Sequence, residues 1–572
     1  MEIRFFIILF ALLIISSSSS KKEDIRINQL GYYPKSIKRF TVVNSKSDSF
    51  EIRDLQGNVI LEGNLSKSLY WKPSGENLRI GYFSELKDSG IYNIYVEGKG
   101  SSHPFEIKNH LYDKALKASM KSFYFLRAST ELPAEFAGKF RRPAGHPDTL
   151  CYFHPSVGKE EGSMSSPKGW YDAGDYNKYV VNAGVTIGTL LLLYELYPDI
   201  LPDKSLNIPE SGNEIPDVLD EIKFEIDWLL TMQDEDSGIF FKITSKSFCD
   251  MIMPHEDTLS RFVVGKSTTS TLEFAAITAH FARVYTPFDP KLAKTCLEKA
   301  EKAWEWAKKN NNTIYKNPSD VRTGIYSNKN MVNDFFYAAS ELFATTGKKD
   351  YLDYILNNPV EPGMFKGASW ARYIVDLGIY SLINEAKNFP KENKIELKKS
   401  LLKIADDISK DLNSISYPVT IEEFGWGSNS NILNSAVICA MAFLYTKEIK
   451  YLNSVVVITD YIFGNNATSY SFVTGFGGKT PMNIHHRSSE ADKIENPIPG
   501  YVVGGPNHER QDSKDKIPWG VTYPDTNPAK CYVDELGSFA SNEICINWNA
   551  PLVFILGFLE SNKDYLSNLK EN

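Results

Sequence analysis

The sequence has no long run of lysine and arginine, no Cys-x-x-Cys pair and no visible internal repeat. Beyond its first fifteen residues it also has no apolar stretch able to cross a bilayer, which takes roughly 20 residues. Each absence excludes something. With a net charge of −8 and no basic patch, no nucleic-acid partner is expected. Six scattered cysteines, Cys151, Cys249, Cys296, Cys439, Cys531 and Cys545, do not make a disulfide framework and read as small buried apolar residues. Cys151 lies near His146 and His154, but a structural zinc needs four ligands and no fourth is evident. Tryptophan is scarce at the start: between Asp24 and Ile107 only Trp71 occurs, too little for a ligand-stacking platform there.

What is present begins with Met1-Glu2-Ile3-Arg4, an uncharged run from Phe5 to Ile15, then Ser16 to Ser20. That order matches a secretory signal peptide over residues 1–20, so the mature chain is expected to start near Lys21 and to be secreted, either extracellular or periplasmic. No membrane association is expected. At 572 residues the chain exceeds one ordinary domain. From Asp24 to Ile107, short alternating runs (Asp24–Asn28, Phe40–Val43, Phe50–Asp54, Val59–Glu62, Ile91–Val96) are separated by turn signals, which predicts a small all-β sandwich over 21–107. The remainder, 108–572, is helical. Periodic segments run Leu111–Ser129, Tyr179–Tyr197, Ile215–Gln233, Thr268–Tyr285, Pro290–Asn310, Asn330–Thr346, Lys348–Leu356, Ser369–Ala386, Lys394–Leu412, Ile432–Thr446, Lys450–Phe463 and Trp548–Leu559. Several are apolar on more than one face, as buried helices are. The longest segment without helical periodicity, Gly464–Asn547, is long enough to be functional.

Chemistry concentrates in two places. Gly169-Trp170-Tyr171-Asp172-Ala173-Gly174-Asp175-Tyr176-Asn177-Lys178-Tyr179 carries two carboxylates three residues apart, fenced by aromatics. Tyr532-Val533-Asp534 and Phe539-Ala540-Ser541-Asn542-Glu543 supply a second acidic pair. Cleaving a sugar–sugar bond takes an acid for the leaving oxygen and a base for water, while aromatic rings stack on pyranose faces. An Asp at a helix start is also an ordinary cap, but capping does not call for the surrounding rings.

Gly169–Gly184, Ser471–Arg487 and Tyr532–Ala550 resemble the three signature regions of glycoside hydrolase family 9, and Ile25–Tyr32 resembles the start of the immunoglobulin-like domain that precedes the catalytic domain in one branch of that family. The segment Ser260–Thr269 is also similar to members. The resemblance covers nearly the whole mature chain. It implies a multidomain protein, an immunoglobulin-like sandwich followed by an (α/α)6 barrel of six inner and six outer helices. The implied activity is a secreted endo-β-1,4-glucanase (cellulase) that hydrolyses with inversion.

Under this resemblance Asp175 is the general base, Asp172 helps hold the attacking water and Glu543 is the general acid. The two reacting carboxyls should then stand roughly 6.5–9.5 Å apart. Asp534 assists by binding sugar or orienting the site, and His485 and Arg487, in Thr480-Pro481-Met482-Asn483-Ile484-His485-His486-Arg487, contact sugar hydroxyls. Cys545 stands where the family usually has Ser, Thr or Ala. Trp170, Tyr171, Trp426, Trp519 and Tyr523 are candidate sugar contacts, with core packing as the alternative for the last three. No redox or organic cofactor is needed. A structural calcium with unassigned ligands stays open, since Asp234-Glu235-Asp236-Ser237-Gly238 also reads as a solvated turn. The partner is a β-glucan and a monomer is expected. Alternatives are exo action, a preference for xyloglucan, mixed-linkage glucan or chitosan oligosaccharides, or a non-catalytic glucan-binding protein, against which the intact acids argue. No separate carbohydrate-binding module is visible, so soluble or amorphous glucan is expected over crystalline cellulose. Sequons occur at Asn64, Asn311 and Asn466.

Overall fold

A computed structural model describes residues 23–362, 370–414, 417–421 and 423–567. The signal-peptide reading of residues 1–20 lies outside the described residues. The first unit is a two-sheet sandwich. One sheet orders β1 (Ile25–Arg26), β3 (Arg39–Val43), β7 (Glu76–Tyr82) and β6 (Leu69–Trp71); the other runs β2 (Gly31–Tyr32), β10 (Phe105–Ile107), β8 (Gly90–Val96), β4 (Ser49–Asp54) and β5 (Val59–Asn64), with β9 (Gly100–Ser101) beside β8. In β8 every second residue, Tyr92, Ile94 and Val96, enters the core, the alternation of a strand with one wet face. β7 was not expected from the sequence. Gly81 pairs with Phe40 of β3, and a Cβ there would stand 2.2 Å from the Phe40 ring, so the strand carries no side chain where that ring packs.

The second unit contains, among the described residues, twelve helices of nine or more residues, one for each periodic segment read above. They are α1 (Asp113–Phe125), α2 (Val180–Leu196), α3 (Asp217–Leu229), α4 (Thr268–Tyr285), α5 (Pro290–Lys309), α6 (Val332–Thr346), α7 (Lys349–Asn357), α8 (Trp370–Asn384), α9 (Lys391–Ser414), α10 (Ser428–Thr446), α11 (Ile449–Ile462) and α12 (Ile546–Ser561). Even-numbered helices form the inner ring: α2 packs on α4 and α12, α6 on α4 and α8, and α10 on α12. Odd-numbered helices pack outside, as α5 on α4 and α11 on α10. The two classes follow from their sequences. α2 is buried from Val180 to Leu193, and its hydroxyls on Thr186 and Thr189 bond back to the carbonyls of Asn182 and Val185. α5 buries one stripe, Ala293, Cys296, Ala300, Ala303, Trp304 and Ala307; Asp289 caps it by accepting from the amides of Lys291 and Leu292, Pro290 begins it, and Lys308 and Lys309 sit at its negative end.

A five-stranded sheet that the sequence did not reveal lies within the second unit, ordered Ser163–Met164, Cys151–Phe153, Phe262–Lys266, Phe240–Thr244, Lys178–Tyr179. Its strands are two to five residues long, too short for a period-two pattern to register. Its edge strand Lys178–Tyr179 runs directly into α2 and holds one end of the segment 169–177.

The sandwich docks tightly. Asn28 donates to Asp460 of α11 (2.8 Å), the Gln29 carboxamide oxygen accepts from the amides of Gly478 and Lys479 (both 2.8 Å), and the Tyr33 hydroxyl donates to Glu560 (2.7 Å). Trp71 packs edge-on against Tyr417 (5.1 Å). The single early tryptophan is therefore an interface residue.

Candidate active site

The segment Gly169–Asn177 is pinned by its rings. Trp170 is 1% exposed, and its indole N–H donates to Glu221 (2.8 Å) while its amide donates to Glu225 (2.5 Å). Tyr171 is equally buried, its amide bonded to the Leu126 carbonyl and its hydroxyl to His146 Nδ1 (both 2.8 Å). These two rings are anchors, which corrects the expectation that they touch sugar: no face of either is open to a ligand. Their burial fixes the backbone from which Asp172 and Asp175 project.

The second acidic stretch is laced to the first through main-chain bonds. The Ile546 amide donates to Asp172 O (2.9 Å), Arg487 N to Gly174 O (3.1 Å), and His485 N to Asn542 O (3.0 Å). Bridge pairs Ala173–Cys545 and His485–Glu543 complete the braid. Gly174 is at its tightest point: a Cβ there would lie 2.2 Å from the His485 carbonyl oxygen and 3.1 Å from Glu543 Oε1. We expect Gly174→Ala to cut kcat at least about tenfold with the fold retained, because the backbone of one carboxylate loop must shift away from the other. Kinetics beside a circular-dichroism melt would check it, and parental kcat would refute it.

Asp172 accepts from Tyr326 OH (2.7 Å) and Asn182 Nδ2 (2.9 Å). Asp175 accepts from Asn177 Nδ2 and, at 3.4 Å, from Tyr179 OH. The orientation of the Asn177 amide is set by its oxygen, which accepts from Thr244 Oγ1 (2.9 Å), the Ser245 amide (3.1 Å) and Arg261 (3.3 Å), leaving the NH2 for Asp175. Burial raises both aspartates. Asp172 is pushed up to about 8 by burial and then by the charge of Asp175. Asp175 is raised by burial, but Arg487, Arg261 and Lys242 pull it back down. Cations therefore face only one of the pair. The opposing cations favour Asp175 as the carboxylate of the pair, while burial and the charge of Asp175 favour protonation of Asp172. Glu543 is raised well above the usual carboxyl range by burial and then by Asp175, with Arg487 opposing. It lines a cavity of about 420 Å³ together with Tyr326, Trp426, Ser430, Asn431, Asn547 and Trp548. Two coupled aspartates, one of them faced by cations, together with a third carboxyl that is raised and lines a cavity, are groups that acid–base hydrolysis of a glycosidic bond uses.

Residues 112–556 match the model of Glycosyl hydrolase family 9, and residues 20–101 match that of the cellulase N-terminal ig-like domain. The chain belongs to glycosyl hydrolase family 9. It is 37% identical over 564 residues to a xyloglucan-specific endo-beta-1,4-glucanase of Bacteroides ovatus, covering 94% of each chain. It is 34% identical to Endoglucanase D of Acetivibrio thermocellus, covering 94% of this chain and 84% of that one. Among solved structures, a Bacteroides ovatus GH9 protein superposes with a TM-score of 0.86 at 35% identity, covering 95% of this chain and 99% of that one. The chain is thus a glycoside hydrolase of the endoglucanase family, an immunoglobulin-like sandwich followed by the family 9 helical domain.

His485 Nδ1 bonds the Leu536 carbonyl (2.7 Å), and burial with Arg487 lowers its pKa to about 4, so the ring is neutral, donates from Nδ1 and offers Nε2 as an acceptor. Arg487 donates to the carbonyls of Gly174 (2.8 Å) and Cys249 (3.1 Å), tying the loops together while facing Asp175 with its charge. Asp534 accepts from the amides of Met482 and Asn483 (both 2.9 Å) and from Asn542 Nδ2 (3.0 Å), which makes it a brace for the His485 loop. Trp519 is 73% exposed and Trp426 39%, with ring centroids 6.3 and 5.7 Å from that of Phe539. Tyr523 is not a platform: it is buried and its hydroxyl donates to Asp512 (2.7 Å). Cys545 faces Asp172 at 4.0 Å with a thiol that burial keeps protonated.

Sequence reasoning missed Tyr326, Asn182 and Phe539 as site residues. Phe539 lay inside a quoted motif; Tyr326 sits in a loop with no local signal.

Neither metal idea finds a built site. Among the described residues no group of three or more His, Cys, Asp or Glu is placed to hold an ion. His146 and His154 are bonded to Asp257 and Asp320, and Cys151 donates to the Asp148 carbonyl. Asp234 pairs with Lys159 and Lys266, and Asp236 with Lys266 and Trp306, so both aspartates of the 234–238 turn are taken up by lysines. The sequon at Asn466 is buried, its amide bonded to the carbonyls of Tyr461 and Tyr470, which closes it to glycosylation in the folded chain.

Proposed function

We propose that the protein is an exported, inverting endo-β-1,4-glucanase. What supports this reading is membership of family 9, with endoglucanases among its relatives, together with the braid that brings the Asp172–Asp175 loop against Glu543, where Arg487, Arg261 and Lys242 oppose the burial that raises Asp175. Asp175 removes a proton from water as it attacks the anomeric carbon. Protonated Asp172, oriented by Tyr326 and Asn182, holds that water through its remaining hydrogen-bonding capacity. Glu543 delivers its proton to the leaving glycosidic oxygen. Neutral His485 and the Trp426–Phe539–Trp519 strip bind neighbouring sugars. Rate on the acid side rises as Asp175 ionises and falls on the alkaline side as Glu543 loses its proton. Export rests on the apolar run of residues 5–15.

A second reading concerns the substrate. The cavity beside Glu543 mixes the small and polar residues Gly427, Ser430, Asn431 and Asn434 with the rings of Tyr326, Tyr373, Trp426 and Trp548, and the likeness to a xyloglucan-specific enzyme supports a branched glucan such as xyloglucan as the substrate. A panel of carboxymethylcellulose, mixed-linkage glucan, xyloglucan, chitosan and cello-oligosaccharides separates the cases. Endo action predicts a steep fall in viscosity before reducing ends accumulate. Release of only short products from chain ends, with viscosity unchanged, would contradict it.

A further inference from the structure

Lys242 is fully buried on the strand Phe240–Thr244, opposite Tyr179 in the neighbouring strand. An ammonium has three N–H bonds, and this one spends all of them on a single loop between α5 and α6. The acceptors are Asn317 Oδ1 (2.9 Å), Thr323 Oγ1 (3.0 Å) and the Gly324 carbonyl (2.9 Å). All three are neutral oxygens. Burial lowers the lysine to about 7, and the charge that holds it up is that of Asp175. A buried cation with only neutral acceptors is costly, and an apolar side chain would fill the space at less expense.

The loop that Lys242 grips reaches both water-side carboxylates. The Gly324 amide donates to Tyr179 OH (3.0 Å), and that hydroxyl donates to Asp175 (3.4 Å). Two residues on, Tyr326 donates to Asp172 (2.7 Å), with its ring edge-on to Tyr179 at 5.0 Å. The loop is otherwise stacked through Tyr315 on Phe241 at 3.7 Å, from the strand that carries Lys242.

We propose that Lys242 is a positioning residue for this reaction: its three bonds lock the 313–327 loop so that Tyr326 and Tyr179 hold Asp172 and Asp175. The proposal rests on the reading of Asp175 as the base. Other groups facing Asp175 are Arg487 and Arg261, which act in the same sense, and Tyr179, Asp172 and Glu543, which couple to it.

The test is the pH profile of kcat and KM on a cello-oligosaccharide for Lys242→Met and for the double variant Asn317→Ala/Thr323→Val, beside Asp175→Asn. Lys242→Met should lower kcat about tenfold or more with KM changed far less, and should move the acid limb up by roughly half to one pH unit, since a cation near the base is lost. The double variant keeps the charge, so kcat should fall while the acid limb stays. A folded Lys242→Met protein with a lower melting temperature but parental kcat and acid limb would overturn the proposal. So would parental kcat in the double variant, which keeps the question answerable if Lys242→Met does not fold. If Asp175→Asn itself is fully active, the assignment of the base fails; if it is inactive while Lys242→Met behaves as the parent, only the role of Lys242 fails.

Discussion

Glu543→Gln should lose roughly a hundredfold or more of kcat on an unactivated β-glucan while still binding oligosaccharide. The amide keeps the size and the hydrogen-bonding of the protonated acid but cannot give up a proton to the leaving oxygen. The parent holds that proton because burial and the charge of Asp175 raise Glu543. A substrate whose leaving group departs without protonation should recover much of the lost rate. Steady-state kinetics with isothermal titration of a cello-oligosaccharide separates turnover from binding, and near-parental turnover would remove Glu543 from the acid role.

Removing residues 21–107 should lower the melting temperature by on the order of 5–10 °C and cut soluble yield. The deletion strips partners from groups that folding has buried. Asp460, raised to about 8 by burial, loses Asn28, and Glu560 loses the Tyr33 hydroxyl. Activity should suffer as well, since the sandwich props loops of the cleft. Gln29 holds the amides of Gly478 and Lys479 on the approach to His485, and Trp71 supports Tyr417 and Phe424 ahead of Trp426. The isolated sandwich should pass through cellulose unretained. Strong retention, with an unchanged melting temperature for the bare helical unit, would contradict its role as a brace.

The helices were legible in the sequence because each buries a continuous stripe or a full circumference over two or more turns. α5 announces its own ends through Asp289-Pro290 and its terminal lysines. The acidic loops were legible as motifs. What periodicity could not reach were short elements and long-range partners. The strands Lys178–Tyr179 and Ser163–Met164 have two residues each, and Tyr326 meets Asp172 across 154 positions of sequence. Aromatic richness misled at Trp170 and Tyr171: a ring beside a catalytic carboxylate can bind sugar or fix the backbone, and composition does not distinguish these. Burial decides, and it assigns both to the backbone.

The central claim is that Asp175 activates water on one face of the sugar while Glu543 protonates the oxygen on the other. Proton NMR of a cello-oligosaccharide during the first minutes of turnover tests it most directly. The α-anomer should appear first and relax to the mutarotated mixture; β-anomer appearing first would contradict the account.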